Sequence, residues 1–455
     1  MTNCFEYQKI KTSKLPHDWS NSLKELEEFL QLSWNQRSTF YDDGESYHGK
    51  QQFLDFDVND GVKAQKYIGT IKFKGNQLNI FPKVFQTDED DYDASELTTD
   101  ELLRNLTIWI NYCDRSMFPF IANKSELYDT NNLKQLMISI YTKYLKETIE
   151  KQLFFQYEDI TETGSQIKGK INFKDYIINK YPQGDKHKFE YTYSNFSFDN
   201  KLNRIVKCVC KILVNDEDSG NNKSELRKII MRLSDVRDEN CSPYDCDQIH
   251  LDNMHKNYST ILSMSKMFLL NKISGSEFGL TDSYCFLFPA DMLFEGFIAG
   301  FMKEKFGSFA TIETQANDTH LAELIIDGED YGSFANLRED ILVKKDDTVF
   351  VLDTKYKPIE RFKKVKQDKS KLGVSINDIR QMAIYALKRN AKKLCLIYPL
   401  YREEELETSD LHLDLDPFED GSRIFPCEII KVPFIFDRDV NLTKRILEKM
   451  LSNVI

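Results

Sequence analysis

Residues 337–357 read LREDILVKKDDTVFVLDTKYK, and no other stretch restricts the fold of this chain so tightly. Ile341 to Val343 and Val349 to Leu352 are short apolar runs, and Lys344 to Asp347 between them is polar. That pattern predicts two antiparallel strands with buried apolar side chains. A four-residue turn over Lys344–Asp347 would pair Val343 with Thr348, Asp340 with Val351, and Arg338 with Asp353. Cross-strand partners share a face, as do residues two apart, so Asp340, Asp353 and Lys355 then project on one side. A slip by one residue would separate them.

Two carboxylates on one side repel each other unless a cation lies between them. Mg²⁺ suits such a pair, because it takes one or two carboxylates and fills its shell with water and phosphate oxygens; Mn²⁺ is an expected substitute. A lysine beside that ion orients an attacking water and stabilises negative charge at phosphorus, which describes phosphodiester hydrolysis. The alternative is a solvated hairpin on which Arg338 and Lys355 neutralise Asp353. The D-x-K pattern by itself does not separate the two.

The rest of the sequence limits where such chemistry could sit. At roughly 150 residues per domain, 455 residues suggest two or three domains, and three are expected. With 41% hydrophobic and 29% charged residues the chain is neither disordered nor fibrous. A net charge of −12 argues against coating nucleic acid by bulk electrostatics, so any DNA contact is local or arranged by a partner. The local exception is Lys355 to Lys371, eight Lys or Arg against two acids, which includes Lys357, Lys363 and Lys364. It suits a phosphate backbone or, equally, a mobile surface loop.

No apolar run approaches the ~18 residues that span a bilayer, and the N-terminus lacks the apolar stretch of a signal peptide, so a cytoplasmic protein without membrane contact is expected. Nine scattered cysteines fit reduced thiols. Cys241, Cys246, His250 and His255 cluster in sequence, but C-x4-C-x3-H-x4-H is not a recurrent zinc spacing, and no metal is assigned to it. There is no P-loop, so the chain is not expected to hydrolyse a nucleotide itself.

Along the chain the periodicity changes twice. KYIGTIKFKGNQLNIFPKVF, Lys66 to Phe85, reads as a hairpin turning at Gly75-Asn76. Gln86 to Glu101 carries eight acids and no base, and reads as a solvated loop. Leu133 to Ile149 and Leu202 to Val209 have helical spacing, and Ser224 to Val236 and Tyr258 to Leu270 are further helices. Pro289 falls in the first turn of a helix ending before Gly307. Ser375 or Asn377 caps a helix through Leu387, and KLCLIYPL reads as a buried strand. The expected architecture is a multidomain α+β protein: a β-rich domain over 1–100, a helical middle region over 101–274, and a mixed α/β domain over 275–455.

LREDILV, VFVLDTKYK and DIRQMAIYAL together resemble the PD-(D/E)xK nuclease core of McrC, the nuclease subunit of McrBC modification-dependent restriction systems. FPADMLFEGFI, KYIGTIKFKGNQLNIFPKVF, IKGKINF and FDNKLNRI resemble other segments of McrC proteins, so the likeness spans roughly Lys66 to Leu400. Glu339 stands where the family pattern commonly has proline. The resemblance implies that the C-terminal domain is restriction-endonuclease-like, that Asp340 and Asp353 bind Mg²⁺, and that Lys355 positions the water. It implies that Glu295 completes the metal site, the alternative being a solvent-facing helix acid. Gln381 and Tyr385 resemble a Q-x-x-x-Y element that holds the site or the DNA strand, or else they are a partly buried polar pair. The implied partners are a hexameric McrB-like AAA+ GTPase or ATPase, which the β-rich domain over 1–100 would bind and whose hydrolysis the β-rich and helical parts would stimulate by reaching into its pore, and modified double-stranded DNA. Paired copies are expected in the working complex. The rival expectations are a non-catalytic activator of that NTPase and a stand-alone nuclease.

Overall fold

The computed structural model describes residues 2–16, 19, 22–35, 41, 49–57, 61–86, 94–113, 118, 133–180, 182, 184, 187–216, 220, 222–252, 255–277, 283–327, 329–359, 373–402, 404, 411–418, 421 and 423–455. The chain divides into two units, Met1–Leu133 with Asp282–Ile455, and Lys134–Thr281. The first unit thus joins the two ends of the chain, because they share a sheet. The fold is mixed α and β throughout.

Its N-terminal part contains β1 (Thr2–Phe5), β2 (Lys9–Ile10), α1 (Leu23–Asn35), β3 (Leu54–Asp57), β4 (Gly61–Ala64), β5 (Tyr67–Phe73) and β6 (Asn76–Phe81). β5 and β6 form the expected hairpin, but its two-residue turn is Lys74-Gly75, one place earlier than the sequence suggested. Both turn residues have positive φ, +48° and +74°, as the turn that matches strand twist requires, and glycine at the second meets this at no steric cost. β1 joins β6 in parallel. α2 (Thr99–Tyr112) follows, its first turn closed by a reciprocal capping box between Thr98 and Glu101. Asp100 and Glu101, expected in a solvated loop, therefore lie in a helix start, where acids oppose the helix dipole; residues 87–93 lie outside the described ones.

The second unit contains α3 (Leu133–Lys151), β7 (Gln156–Gly164), β8 (Lys170–Ile171), β9 (Phe189–Ser197), α4 (Lys201–Val214), α5 (Lys223–Arg232) and α6 (Lys256–Glu277). The four expected helices are present, with α5 ending four residues early and α6 starting two residues earlier and ending seven later. A purely helical middle region is corrected by β7, β8 and β9, which make a three-stranded antiparallel sheet. That sheet leaves Tyr157 and Phe196 more than half exposed, so it lacks the buried apolar face by which strands are read from sequence.

The C-terminal part of the first unit opens with β10 (Tyr284–Pro289), which pairs with β5 and completes the sheet β1-β6-β5-β10. α7 (Ala290–Phe306) starts at once, with Pro289 at its N-cap rather than inside its first turn, and ends at Gly307. It crosses α2 so closely that a Cβ on Gly300 would meet the Tyr112 carbonyl oxygen at 1.7 Å. Then come β11 (Thr311–Ala316), an exposed ribbon of β12 (His320–Ile326) and β13 (Glu329–Asn336), β14 (Glu339–Lys345), β15 (Thr348–Thr354), α8 (Ile376–Arg389), β16 (Lys393–Leu400), β17 (His412–Leu415), β18 (Phe425–Pro433) and α9 (Val440–Ser452).

Six of these strands form one sheet in the order β11-β14-β15-β16-β18-β17. β15, β16 and β18 run parallel, so α8 is the crossover between β15 and β16. Ser375, not Asn377, caps α8 and shares a capping box with Asp378. Met382, Tyr385 and Ala386 of α8 bury against Leu342, Val351, Leu394, Leu396 and Ile429 of the sheet. At the end of β18, Phe434 stacks on Trp109 of α2 at 4.1 Å between ring centres, and its carbonyl accepts the indole N–H at 2.8 Å.

Candidate active site

β14 and β15 are the predicted hairpin, but their register differs from the four-residue turn. Lys345 pairs with Thr348 and Ile341 with Leu352, around a two-residue turn at Asp346-Asp347 with Asp346 at φ +51°. The shift amounts to two residues of pairing, an even number, so faces are preserved. One step beyond the last ladder pair, the same register brings Asp340 opposite Asp353 instead of Val351. Both aspartates lie on the face of Leu342 and Val351, against which α8 packs.

The hairpin is not solvated. Asp353 is fully buried, and Asp340 Oδ2 accepts hydrogen bonds from the N–H and hydroxyl of Thr354, each at 2.8 Å. Lys355 Nζ lies 2.5 Å from Asp353 Oδ2, yet neither Asp353 oxygen receives a well-directed hydrogen bond. The amine also donates to Gln381 Oε1 at 3.2 Å. Gln381 Nε2 donates to the Tyr385 hydroxyl at 2.7 Å, which donates to the Arg338 carbonyl at 2.7 Å. Gln381 and Tyr385, four apart on α8, thus tie the lysine to the start of β14 in one chain of hydrogen bonds.

Glu295 enters from α7. It accepts a hydrogen bond from the Gln315 amide, and burial first, then the charges of Asp340 and Asp353, push its pKa up to about 9 against a pull from Arg338. Burial and Asp340 likewise raise Asp353 to about 7, with Lys355 opposing. Asp340 is raised by burial, with Thr354 and Lys355 opposing. Burial pulls the Lys355 ammonium down, but Asp353 and Asp340 outweigh it and its pKa rises. The site therefore crowds more negative charge than its lysine neutralises, the condition under which a bound cation stabilises the fold. Among the described residues no three His, Cys, Asp or Glu side chains converge as a ready-made metal cage.

Of the remaining candidates, Lys357 is partly exposed and its amine is paired with Asp378 in the first turn of α8. Lys363 and Lys364 lie outside the described residues. Cys241, Cys246, His250 and His255 form no metal cluster; His255 instead holds Asp252 at 2.6 Å. Two contributors escaped the sequence reading. Thr354 was flagged by nothing, although its place beside Asp353 and opposite the start of β14 follows from the register. Glu339 is fully buried and accepts from the Arg389 guanidinium on both carboxylate oxygens at 2.9 Å. This bidentate pair fastens the end of α8 to the residue before Asp340.

The sequence pattern of a family described as "McrBC 5-methylcytosine restriction system component" matches residues 62–399. A solved Thermococcus gammatolerans structure, described as a refined half-complex from a tetradecameric assembly of McrB AAA+ hexamers with bound McrC, is similar over 100% of this chain and 99% of its own, with 16% identity and a TM-score of 0.54. At that identity the likeness speaks to the fold. A cryo-EM structure of the Thermococcus gammatolerans McrBC complex is matched over 67% of this chain and 87% of its own at 15% identity, with a TM-score of 0.40. No curated protein matches the chain.

Proposed function

The chain belongs to the family of McrBC 5-methylcytosine restriction system components, and from that premise we propose that it is the McrC-like nuclease subunit, a PD-(D/E)xK endonuclease that cuts DNA under the control of an AAA+ NTPase. The observation that carries this reading is the pairing of Asp340 with Asp353 across β14 and β15, with the Lys355 amine 2.5 Å from Asp353. Asp353 is fully buried with Asp340 beside it and the Lys355 ammonium at one oxygen, so the two carboxylates share one lysine and leave negative charge that a cation would answer. Hard oxygen donors of this kind fit Mg²⁺. Asp353 and Asp340 would hold the ion, with Glu295 behind them on α7. When bound, the ion lowers the pKa of water and offsets charge on the phosphate.

The protein's own groups do the rest. Lys355, held by Asp353 and Gln381, presents an ammonium to the attacking water and to the oxygens of the scissile phosphate. Tyr385 and Gln381 fix the direction of that amine by hydrogen bonds. Glu295, whose carboxyl is held above the usual range by burial and by Asp340, would stand behind the two aspartates as a further oxygen ligand. The net charge of −12 fits a subunit brought to DNA by a partner. The assembly described for the Thermococcus gammatolerans protein supports a McrB-like AAA+ hexamer as that partner. No helix among the described residues is long and apolar enough to cross a membrane.

The test is Asp353→Ala in the full chain, assayed with the partner NTPase on methylated duplex DNA with Mg²⁺. Loss of cleavage with retained stimulation of NTP hydrolysis is expected. Undiminished cleavage would refute the reading.

A further inference from the structure

The nuclease reading leaves one buried carboxylate without a task. Glu6, directly after β1, is 3% exposed. Its Oε1 accepts the Tyr356 hydroxyl at 2.6 Å and the backbone N–H of Lys83 at 2.8 Å, while Oε2 is buried without a hydrogen-bond partner. The Glu6 N–H donates to the Phe81 carbonyl at 2.9 Å, so its backbone is tied to the end of β6. Lys83 closes the arrangement: its amine donates to the Tyr356 carbonyl at 3.1 Å and lies 4.6 Å from the centre of the Tyr356 ring. Tyr356 is gripped at hydroxyl, ring and carbonyl by residues from the first quarter of the chain.

Burying a half-satisfied carboxylate is unfavourable, so the contact is a poor choice if packing were its only purpose. Its position explains it, because Tyr356 follows Lys355 directly. β15 ends at Thr354, and beyond it the backbone holds Lys355 by its N–H to the Ile397 carbonyl at 2.8 Å and by a tight turn from the Lys357 N–H to the Lys355 carbonyl at 2.9 Å. A lysine carries about 2 kcal/mol of rotamer entropy, and an amine that must sit between Asp353 and Gln381 needs a fixed point of departure.

We propose that Glu6 is a positioning residue for Lys355, acting through Tyr356, so that the N-terminal sheet sets where the amine of the nuclease centre stands. The proposal rests on the role given above to Lys355. It makes the first strands part of the nuclease centre's support.

Three full-length variants test it. Glu6→Ala removes both acceptor bonds; Glu6→Gln keeps an Oε1 acceptor for both; Tyr356→Phe keeps the ring contacts with Phe294 and Phe434 and loses only the hydroxyl. The first readout is the rate at which acetic anhydride acylates Lys355, taken by peptide mass spectrometry relative to Lys431, a buried lysine of the same unit paired with Glu404 at 2.9 Å. Glu6→Ala and Tyr356→Phe should raise the Lys355 to Lys431 ratio about ten-fold, and Glu6→Gln should leave it near the parent value. A general loosening would speed both lysines and leave the ratio unchanged; that result, or a parental ratio in both disruptive variants, overturns the proposal. The second readout is cleavage with the partner NTPase, where kcat should fall about ten-fold at constant KM for DNA in the same two variants. Should Asp353→Ala leave cleavage intact, the nuclease reading falls, while the acylation ratio still judges the Glu6 contact. Should Asp353→Ala abolish cleavage but Glu6→Ala and Tyr356→Phe cut like the parent, the positioning role alone is refuted.

Discussion

Replacing Asp353 with Asn in the metal-free protein should make it more stable while removing its activity. Asp353 is fully buried, and its pKa is raised from 3.8 to about 7 by burial and by Asp340, net of the attraction of Lys355. At ~1.36 kcal/mol per pH unit, that difference bounds the cost of ionising it in the folded chain at about 4 kcal/mol. The amide keeps the volume and, like the protonated acid, carries no charge; because the value of about 7 already includes the attraction of Lys355, a net gain of up to about 4 kcal/mol is expected once pH exceeds 7. The sign follows from linkage: an acid whose folded pKa is raised destabilises the fold as pH climbs above the unfolded value, and the cost levels off once pH passes the folded value. Thermal denaturation in chelator should therefore show no advantage for Asp353→Asn near pH 4, a growing one between about pH 5 and 7, and a constant one at pH 8. Saturating Mg²⁺ should close the gap by stabilising the parent alone. A variant less stable than the parent at pH 8 in chelator, or an advantage independent of pH, would refute the account of the site as an excess of buried negative charge.

Arg389→Ala leaves Glu339 buried and uncompensated, and urea unfolding should show a loss of about 3–5 kcal/mol; Arg389→Lys should recover less than half, since one amine cannot serve both carboxylate oxygens. Gly300→Ala places a Cβ 1.7 Å from the Tyr112 carbonyl oxygen, so α2 and α7 must separate, and a loss of roughly 3 kcal/mol or more is expected by calorimetry. Tyr385→Phe breaks the bridge between Gln381 and the Arg338 carbonyl; kcat should drop about ten-fold with DNA affinity, measured by anisotropy, unchanged.

Much of the site was legible because it depends on alternation. Asp340 and Asp353 share a face in any register that differs from the assumed one by an even number of residues, so a wrong turn length still placed them together. α8 was readable from its apolar spacing and its serine cap, and Gln381 with Tyr385 from their spacing of four. Glu339–Arg389 was not readable: an acid at a strand start and an arginine at a helix end, fifty residues apart, carry no local signal. Lys357 looked available for DNA because its charge is visible in sequence and its partner Asp378 is not. The β7–β9 sheet was missed because exposed strands lack the burial contrast on which pattern reading depends.

Local order therefore resides in this chain's periodicities: where strands and helices start, which side chains share a face, and that two acids and a lysine flank one hairpin. Folding in three dimensions supplied the rest. It buried those acids, so that their repulsion became a matter of kcal/mol instead of a screened surface effect, and it brought Glu6, 350 residues before Tyr356, and Glu295, from the helix α7, to Lys355 and its neighbours. Proximity across hundreds of residues comes from shared sheets and helix crossings, and no short-range pattern encodes it.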